Sequence, residues 1–184
     1  MSTSAERPVV AEGVLRDGVG VRLTALPYDD PVAQYLVGEV QQEYVQRYGG
    51  PDEAVVDPGE FLPPHGLFLV AEVDGEPAGC GAWRALRDGV AEIKRVYVAP
   101  RFRRRGLAQE VVARLERSAA AAGHRTVVLN TGDRQPEAIA LYEGAGYRPV
   151  EGYGIYACSH GAVFLGKELS PEPTDGGGRR TWGS

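Results

Sequence analysis

The sequence predicts one mixed α+β domain whose central sheet is mostly antiparallel, and three observations support this prediction. The 184 residues, 43% of them hydrophobic, are enough to bury one sizeable core and too few for two. Apolar runs of strand length alternate with segments whose apolar residues recur every three or four positions, which is helical spacing. Asp74-Gly75 joins two apolar runs and is typical of a tight antiparallel hairpin. We therefore expect about six to seven strands flanked by about four helices.

The individual elements are bounded by start and stop signals. A helix is predicted over residues 31–48, because apolar side chains keep helical spacing until Gly49-Gly50-Pro51. A second, amphipathic helix is predicted over 107–122, and a third, short one over 136–143 has proline in its first turn. The predicted strands cover residues 19–26, 66–73, 76–85, 89–99, 126–131 and a closing pair, 153–158 with 162–169.

Three segments lie outside this predicted sheet. Residues 1–13 are expected to form a loose N-terminal arm, and residues 170–184, rich in Pro, Gly and polar residues, a flexible C-terminal tail. Residues 14–169 are then the domain. Within it, residues 51–64 combine four carboxylates with several prolines, so an irregular acidic excursion is predicted there.

Charge and composition argue against several classes of function. A net charge of -5 and a pI near 5.3 do not suit a nucleic-acid binder, whose affinity rests on an excess of Lys and Arg. No apolar run approaches the roughly 18 residues that span a bilayer. The expectation is therefore a cytoplasmic protein with neither nucleic acid nor membrane as partner. Two cysteines and three histidines without metal-ligand spacing predict free thiols and no metal.

A basic turn containing glycine stands between the strand 89–99 and the helix 107–122. The first backbone N–H groups of a helix have no intrahelical acceptor, and the helix dipole makes this end positive, so such a turn suits an anion. Small residues at Gly106 and Ala108 let the anion approach. No Gly-Lys-Ser/Thr follows Gly106, so this is not a nucleotide P-loop. A solvated basic corner is the alternative interpretation of its arginines.

The surroundings of this turn resemble the GNAT superfamily of N-acetyltransferases. The family signature, Arg/Gln-x-x-Gly-x-Gly/Ala, is matched by Arg103, Gly106 and Ala108, and the resemblance covers roughly residues 66–169. It includes the strand that ends in Ala99-Pro100 and the later segments Leu141-Tyr142 and Gly146-Tyr147. The chain departs from the family at Arg104, where many members have glycine, and at Gln135, where many have asparagine. Neither change removes a backbone donor.

The resemblance implies acetyl-CoA as the cosubstrate. The sheet would splay between the fourth and fifth predicted strands, residues 89–99 and 126–131, and acetyl-CoA would lie in that opening. The cofactor contacts that the resemblance implies are Val96, Tyr97, Val98, Arg103, Arg104, Arg105, Gly106, Leu107, Ala108, Gln135 and Tyr142.

Two catalytic residues follow from the same resemblance. Acyl transfer from a thioester to an amine needs a neutral amine and a proton for the departing thiolate. Tyr142 is the candidate general acid, because the pKa of a phenol, near 10, is close to that of an alkyl thiol. Glu92 resembles in position the family's general base, which often acts through water. The alternatives are a Tyr142 that only packs and a Glu92 that is a surface residue. Cys80 has no neighbouring base and is not expected to be a nucleophile.

The acceptor is expected to be a primary amine of a small molecule that attacks the acetyl group directly in a ternary complex. In this family the acceptor meets the first helix, the following loop and the last hairpin. The candidate contacts are Tyr44, Tyr48, Glu92, Asn130 and Tyr153, with His65 or His160 as further candidates. The acidic excursion would suit a cationic amine, with a solvated loop as the alternative. A protein or peptide N-acetyltransferase, a non-catalytic acyl-CoA sensor and a homodimer are further possibilities that the sequence leaves open.

Overall fold

The computed structural model describes residues 8–170, which form one eight-stranded sheet with helices on both faces. The strands are β1 Val9–Val14, β2 Gly20–Ala25, β3 Gly66–Val73, β4 Glu76–Arg87, β5 Val90–Val98, β6 Thr126–Gly132, β7 Arg148–Pro149 and β8 Ala162–Glu168. The helices are α1 Pro31–Tyr48, α2 Leu107–Ala121 and α3 Pro136–Gly144. The sheet order is β1-β2-β3-β4-β5-β6-β8-β7, and every pair except β5-β6 is antiparallel. The predicted mixed α+β fold is confirmed.

Local turn chemistry sets several of these boundaries. Asp30 caps α1 by accepting the N–H of Val32 at 2.8 Å, and Gly49 ends the helix with φ 82°. Asp74 and Gly75 have φ values of 52° and 78°, the positive pair that a two-residue hairpin requires. The predicted hairpin between β3 and β4 is therefore confirmed. None of the helices in the described part of the chain combines the length and apolar character needed to cross a membrane.

Two hydrophobic clusters cover the two faces of the sheet. On one face, Leu36 and Val40 of α1 pack with Phe68 and Tyr97. On the other face, the buried side of α2 packs against β3, β4 and β5, and Tyr142 of α3 belongs to the same cluster. Burial of each large apolar side chain contributes about 1.5–3 kcal/mol. The sheet is therefore held between α1 on one side and α2 with α3 on the other.

The sheet opens between β5 and β6. The two strands pair over three residues only, ending at Glu92 opposite Val128, although β5 runs on to Val98 and β6 to Gly132. A β-bulge bends β5 just beyond this point, where Arg95 has φ 58° and the register against β4 shifts. The splay predicted between the strands 89–99 and 126–131 is confirmed.

Three sequence-based expectations differ from the structure. Residues 9–14 form β1, which pairs with β2, whereas an arm was expected up to residue 13; residues 1–7 and 171–184 lie outside the described residues. Residues 153–158 are a loop with a 3-10 turn at Gly154–Tyr156, because Gly154 has φ 66° and interrupts an extended chain. β7 pairs with β8 instead. Within residues 8–170 there are three α-helices and eight strands, whereas about four helices and six to seven strands were expected.

Candidate active site

The turn before α2 presents a row of backbone donors without acceptors. Gly106 is the N-cap of α2 with φ 89°, and no side chain caps this end. The first intrahelical bond runs from the N–H of Glu110 to the oxygen of Gly106. Within residues 8–170, the N–H groups of residues 104–109 have no protein acceptor. The donors and the positive end of the helix therefore fit a phosphate group.

The arginines of this turn mostly bind carboxylates of the protein. The guanidinium of Arg103 pairs with Glu43 of α1, and Arg105 Nε lies 2.5 Å from Asp17 Oδ2. The hydrogen bond from Arg105 lowers the pKa of Asp17. Arg104 is exposed, with φ 61°, a conformation that glycine adopts more easily. The turn is therefore more than a solvated basic corner, and its backbone offers an anion more donors than its side chains do.

The strand predicted to face the cofactor runs along the opening of the sheet. Val96 and Val98 pack toward the α2 side, whereas Tyr97 is buried on the α1 side. Burial and the neighbouring Glu39 raise the pKa of Tyr97 to about 12. The carbonyl of Val98 accepts a 2.8 Å hydrogen bond from Arg103 Nε. This bond joins the end of β5 to the turn of residues 103–108, which is called the anion turn below.

A cavity of about 280 Å³ lies at the C-terminal end of β6. It brings together four of the predicted site residues, Tyr44, Tyr48, Asn130 and Gln135. A Cβ at Gly132 would lie 2.0 Å from the hydroxyl oxygen of Tyr48, so a larger residue there would displace the Tyr48 ring. The other lining residues are Gly50, Pro51, Asp52, Thr131, Gly132, Tyr156, Ser159, His160, Gly161 and Ala162.

Tyr142 is buried beside this cavity and does not line it. Its ring packs edge-on against Tyr147, with 5.4 Å between the ring centroids. Burial, and then the phenol of Tyr44, raise the pKa of Tyr142, so the hydroxyl stays protonated near neutral pH. Within the described part of the chain, this hydroxyl has no hydrogen-bond partner. Its proton is therefore not committed to another protein group.

Glu92 lies where β5 and β6 separate, and its carboxylate is already engaged. Arg84 Nε donates to Oε2 at 2.9 Å, Lys94 Nζ lies 3.5 Å from Oε1, and the hydroxyl of Tyr153 donates to Oε1 at 3.3 Å. Glu92 is only 3% exposed, and neither it nor Tyr153 lines the cavity. Burial, followed by the charge of Glu92, raises the pKa of Tyr153. The three contacts hold the carboxylate of Glu92 in place where the two strands separate.

Most carboxylates of the acidic excursion, residues 51–64, contact other groups of the protein. Asp52 pairs with the buried Arg95, Asp57 caps a 3-10 turn through the N–H of Gly59 at 2.9 Å, and Glu60 lies 2.5 Å from Arg84. Three of its four carboxylates therefore bind protein groups. Of the four carboxylates, that of Asp52 belongs to a residue that lines the cavity with Tyr44 and Tyr48.

Three side chains of this region were not singled out as site residues. Asp52 and Tyr156 line the cavity and are hydrogen-bonded to each other. Arg95, which does not line the cavity, forms an ion pair with Asp52. Their spacing along the chain carries no local signal, because 104 residues separate Asp52 from Tyr156. His160 lines the cavity, and His65 does not.

Comparisons with known proteins agree with this geometry. The Acetyltransferase (GNAT) family model matches residues 32–147, which is more than half of the chain. An IAA acetyltransferase of Azospirillum brasilense is 31% identical over 144 residues, covering 78% of this chain and 94% of that protein. Human N-acetylaspartate synthetase is 31% identical over 136 residues, which are 73% of this chain and 45% of that protein.

A solved structure shows the same fold. A GNAT family acetyltransferase from Elizabethkingia anophelis with acetyl-CoA bound superposes with a TM-score of 0.60 at 16% identity, covering 81% of this chain and 98% of that one. The family match, the splayed sheet and the uncapped turn before α2 lead to one conclusion. The chain belongs to the GNAT family and is an acetyl-CoA-dependent N-acetyltransferase.

Proposed function

We propose that this enzyme acetylates the primary amine of a small molecule. The observation that carries the proposal is the cavity of about 280 Å³ at the end of β6. Pockets for small ligands start at about 300 Å³, and the volume of this cavity, close to that lower end, suits a small amine. Tyr44, Tyr48 and Tyr156 form aromatic walls that suit an apolar or cationic acceptor. The name of human N-acetylaspartate synthetase also denotes a small acetylated product.

The residues of the anion turn and of β5 fit acetyl-CoA. The backbone donors of residues 104–109 would hold its phosphates, and the open edge of β5 at Val96, Tyr97 and Val98 would hold its pantetheine arm. Gly106 has φ 89°, a conformation that glycine adopts without strain. When bound, acetyl-CoA supplies an acetyl group activated as a thioester.

In this proposal Tyr142 donates the proton that the leaving thiolate needs. Its hydroxyl has no protein partner within residues 8–170 and is available to donate. Burial raises the pKa of this phenol above that of an alkyl thiol, so the match expected from the sequence is lost and Tyr142 is a weaker acid than a free phenol.

In this proposal the amine attacks the thioester directly. Cys80 is not suited to carry the acetyl group, because it is fully buried and burial raises the pKa of its thiol to about 12. Two groups are candidates for taking the proton of the amine. These are Glu92, from the sequence, and His160, which lines the cavity.

The experiment that tests this function uses two acceptor panels. Purified enzyme and acetyl-CoA are mixed with small primary amines, or with peptides that carry free N-termini and lysines. Release of the CoA thiol is followed with a chromogenic disulfide, and the acetylated products are identified by mass spectrometry. We expect turnover of at least one small amine. Turnover of peptides alone, or acetyl-CoA binding without turnover in either panel, would contradict the proposal.

The role of Tyr142 is tested with the same assay. Tyr142→Phe should lower turnover about 100-fold with little change in acetyl-CoA affinity, because only the proton donor is lost. The matched control is Tyr147→Phe, which removes the hydroxyl of the neighbouring ring, bonded to Glu116 at 2.9 Å. This control should keep its turnover. Equal turnover of Tyr142→Phe and wild type would restrict Tyr142 to packing.

A further inference from the structure

The hairpin loop between β1 and β2 lies against the anion turn. The N–H of Arg16 donates to the carbonyl of Arg105 at 3.0 Å, and Asp17 pairs with the side chain of Arg105. A Cβ on Gly106 would lie 3.2 Å from Arg16 Cγ and 3.3 Å from Arg16 Nε. The side chain of Arg16 therefore runs directly over the N-cap of α2. This hairpin lies outside residues 32–147, which match the family model.

Some of the arginines around this turn pair with carboxylates, and others do not. Arg101, Arg103 and Arg105 each pair with a carboxylate, from Glu76, Glu43 and Asp17 respectively. Arg16 and Arg104 have no carboxylate partner among residues 8–170.

The remaining polar groups near Arg16 do not neutralise it. Arg16 Nη2 lies 3.1 Å from the side-chain oxygen of Gln109, when that amide is oriented with its oxygen toward the guanidinium. Glu110, the acid of the first turn of α2, faces Gly13 of β1. A neutral amide thus holds the guanidinium of Arg16 beside the backbone donors.

We propose that Arg16 binds a phosphate group of CoA, and that this residue is contributed by the N-terminal hairpin. The inference rests on the proposed cofactor site at residues 104–109. A guanidinium forms paired hydrogen bonds with phosphate oxygens, and Arg16 carries its charge to the place where the backbone donors converge. Arg103 and Arg105 then act as positioning residues, which fix the turn through Glu43 and Asp17. CoA carries phosphate in two places, its pyrophosphate and its ribose 3′-phosphate.

Calorimetric titrations with CoA and with 3′-dephospho-CoA test this inference. We expect Arg16→Ala to weaken CoA binding about tenfold relative to wild type. If Arg16 contacts the 3′-phosphate, wild type and Arg16→Ala bind 3′-dephospho-CoA equally. If Arg16 contacts the pyrophosphate, the loss persists with this ligand. Equal affinity of the variant and wild type for both ligands would overturn the inference.

Two controls separate this result from other causes. Arg22→Ala removes another exposed arginine of the hairpin, paired with Glu12 at 3.7 Å, and should leave CoA affinity unchanged. A similar loss in Arg22→Ala would assign the effect to net charge and overturn the inference. Failure of wild type to bind either ligand would instead refute the cofactor site itself. Because Arg16 is exposed, Arg16→Ala should keep the unfolding temperature of wild type.

Discussion

The phenol of Tyr156 donates a hydrogen bond to Asp52 Oδ1 at 2.7 Å, and the phenol oxygen of Tyr156 accepts the N–H of Glu53 at 3.0 Å. Asp52 is in turn paired with Arg95, the buried residue at the bulge of β5. These contacts connect the loop after α1 with the loop before β8. They also connect both loops with β5, just beyond the point where it separates from β6. Both loops contribute lining residues to the cavity.

Loss of this contact should loosen the acceptor pocket. We expect Tyr156→Phe to raise the KM for a small amine substrate several-fold and to leave CoA affinity unchanged, because the anion turn lies elsewhere. The loss of two hydrogen bonds should lower the free energy of unfolding by about 1 kcal/mol. Steady-state kinetics and urea unfolding check both effects. Tyr35→Phe, on the exposed face of α1, is the matched control, and an unchanged KM in Tyr156→Phe would contradict the prediction.

The ion pair of Asp52 and Arg95 should make stability depend on pH. Burial favours the neutral form of Asp52, but the contacts with Arg95 and Ala54 outweigh it and lower the pKa below 3.8. A lowered folded-state pKa adds stability above the unfolded pKa, and this stability is lost as the pH falls through the folded value.

Asp52→Asn should therefore destabilise the protein by about 3 kcal/mol at pH 7, because it leaves the Arg95 charge buried without its counter-ion. The difference from wild type should shrink as the pH falls from about 4, the pKa of the carboxyl in the unfolded chain, through the lowered pKa of Asp52 in the folded protein. Urea unfolding of both proteins at neutral and acidic pH measures this difference in the free energy of unfolding. A difference that stays constant with pH would show that the ion pair is not its origin.

Variants of Glu92 and His160 distinguish a structural role from that of the general base that takes the proton of the amine. Since Glu92 binds Arg84, Lys94 and Tyr153, we expect Glu92→Gln to lower the free energy of unfolding by about 2 kcal/mol and to keep most of the wild-type turnover at pH 7. His160→Gln should keep the stability of the wild type and be about tenfold slower at pH 7. A loss of turnover confined to Glu92→Gln would make Glu92 the base.

The two thiols should differ sharply in reactivity. Cys80 is fully buried, donates to the carbonyl of Arg95 at 3.3 Å and has its pKa raised to about 12 by burial, whereas Cys158 is exposed. We expect a chromogenic disulfide to titrate one thiol in the folded protein and two after denaturation. Cys158→Ser should abolish the fast reaction. Two fast thiols in the wild type would show that Cys80 is accessible.

Local signals in the sequence predicted much of the fold. Asp74-Gly75 and Gly49 act through backbone conformation alone, so their hairpin and helix end could be located without knowledge of any distant contact. The turn at Gly106, whose φ is 89°, was located in the same way. β1 was missed because it is a short edge strand whose place is fixed only by pairing with β2. Residues 153–158 have an apolar pattern typical of a strand, yet Gly154 and the bond from Tyr156 to Asp52 fix them as a loop.

The site was less predictable, because its walls come from distant segments. Tyr44 and Tyr48 were expected from their position on α1, and both line the cavity. The partner of Asp52 is Arg95 of β5, and the partners of Glu92 come from β4, β5 and the loop before β8. Such pairings depend on sheet register and on the bulge at Arg95, which a single sequence does not encode in any local pattern.

Calorimetric titration of the wild-type protein with acetyl-CoA tests the central claim most directly. We expect saturable binding of one acetyl-CoA per chain, because the uncapped turn before α2 and the open edge of β5 together form one cofactor site. The absence of saturable binding at millimolar acetyl-CoA, in protein shown to be folded, would contradict it.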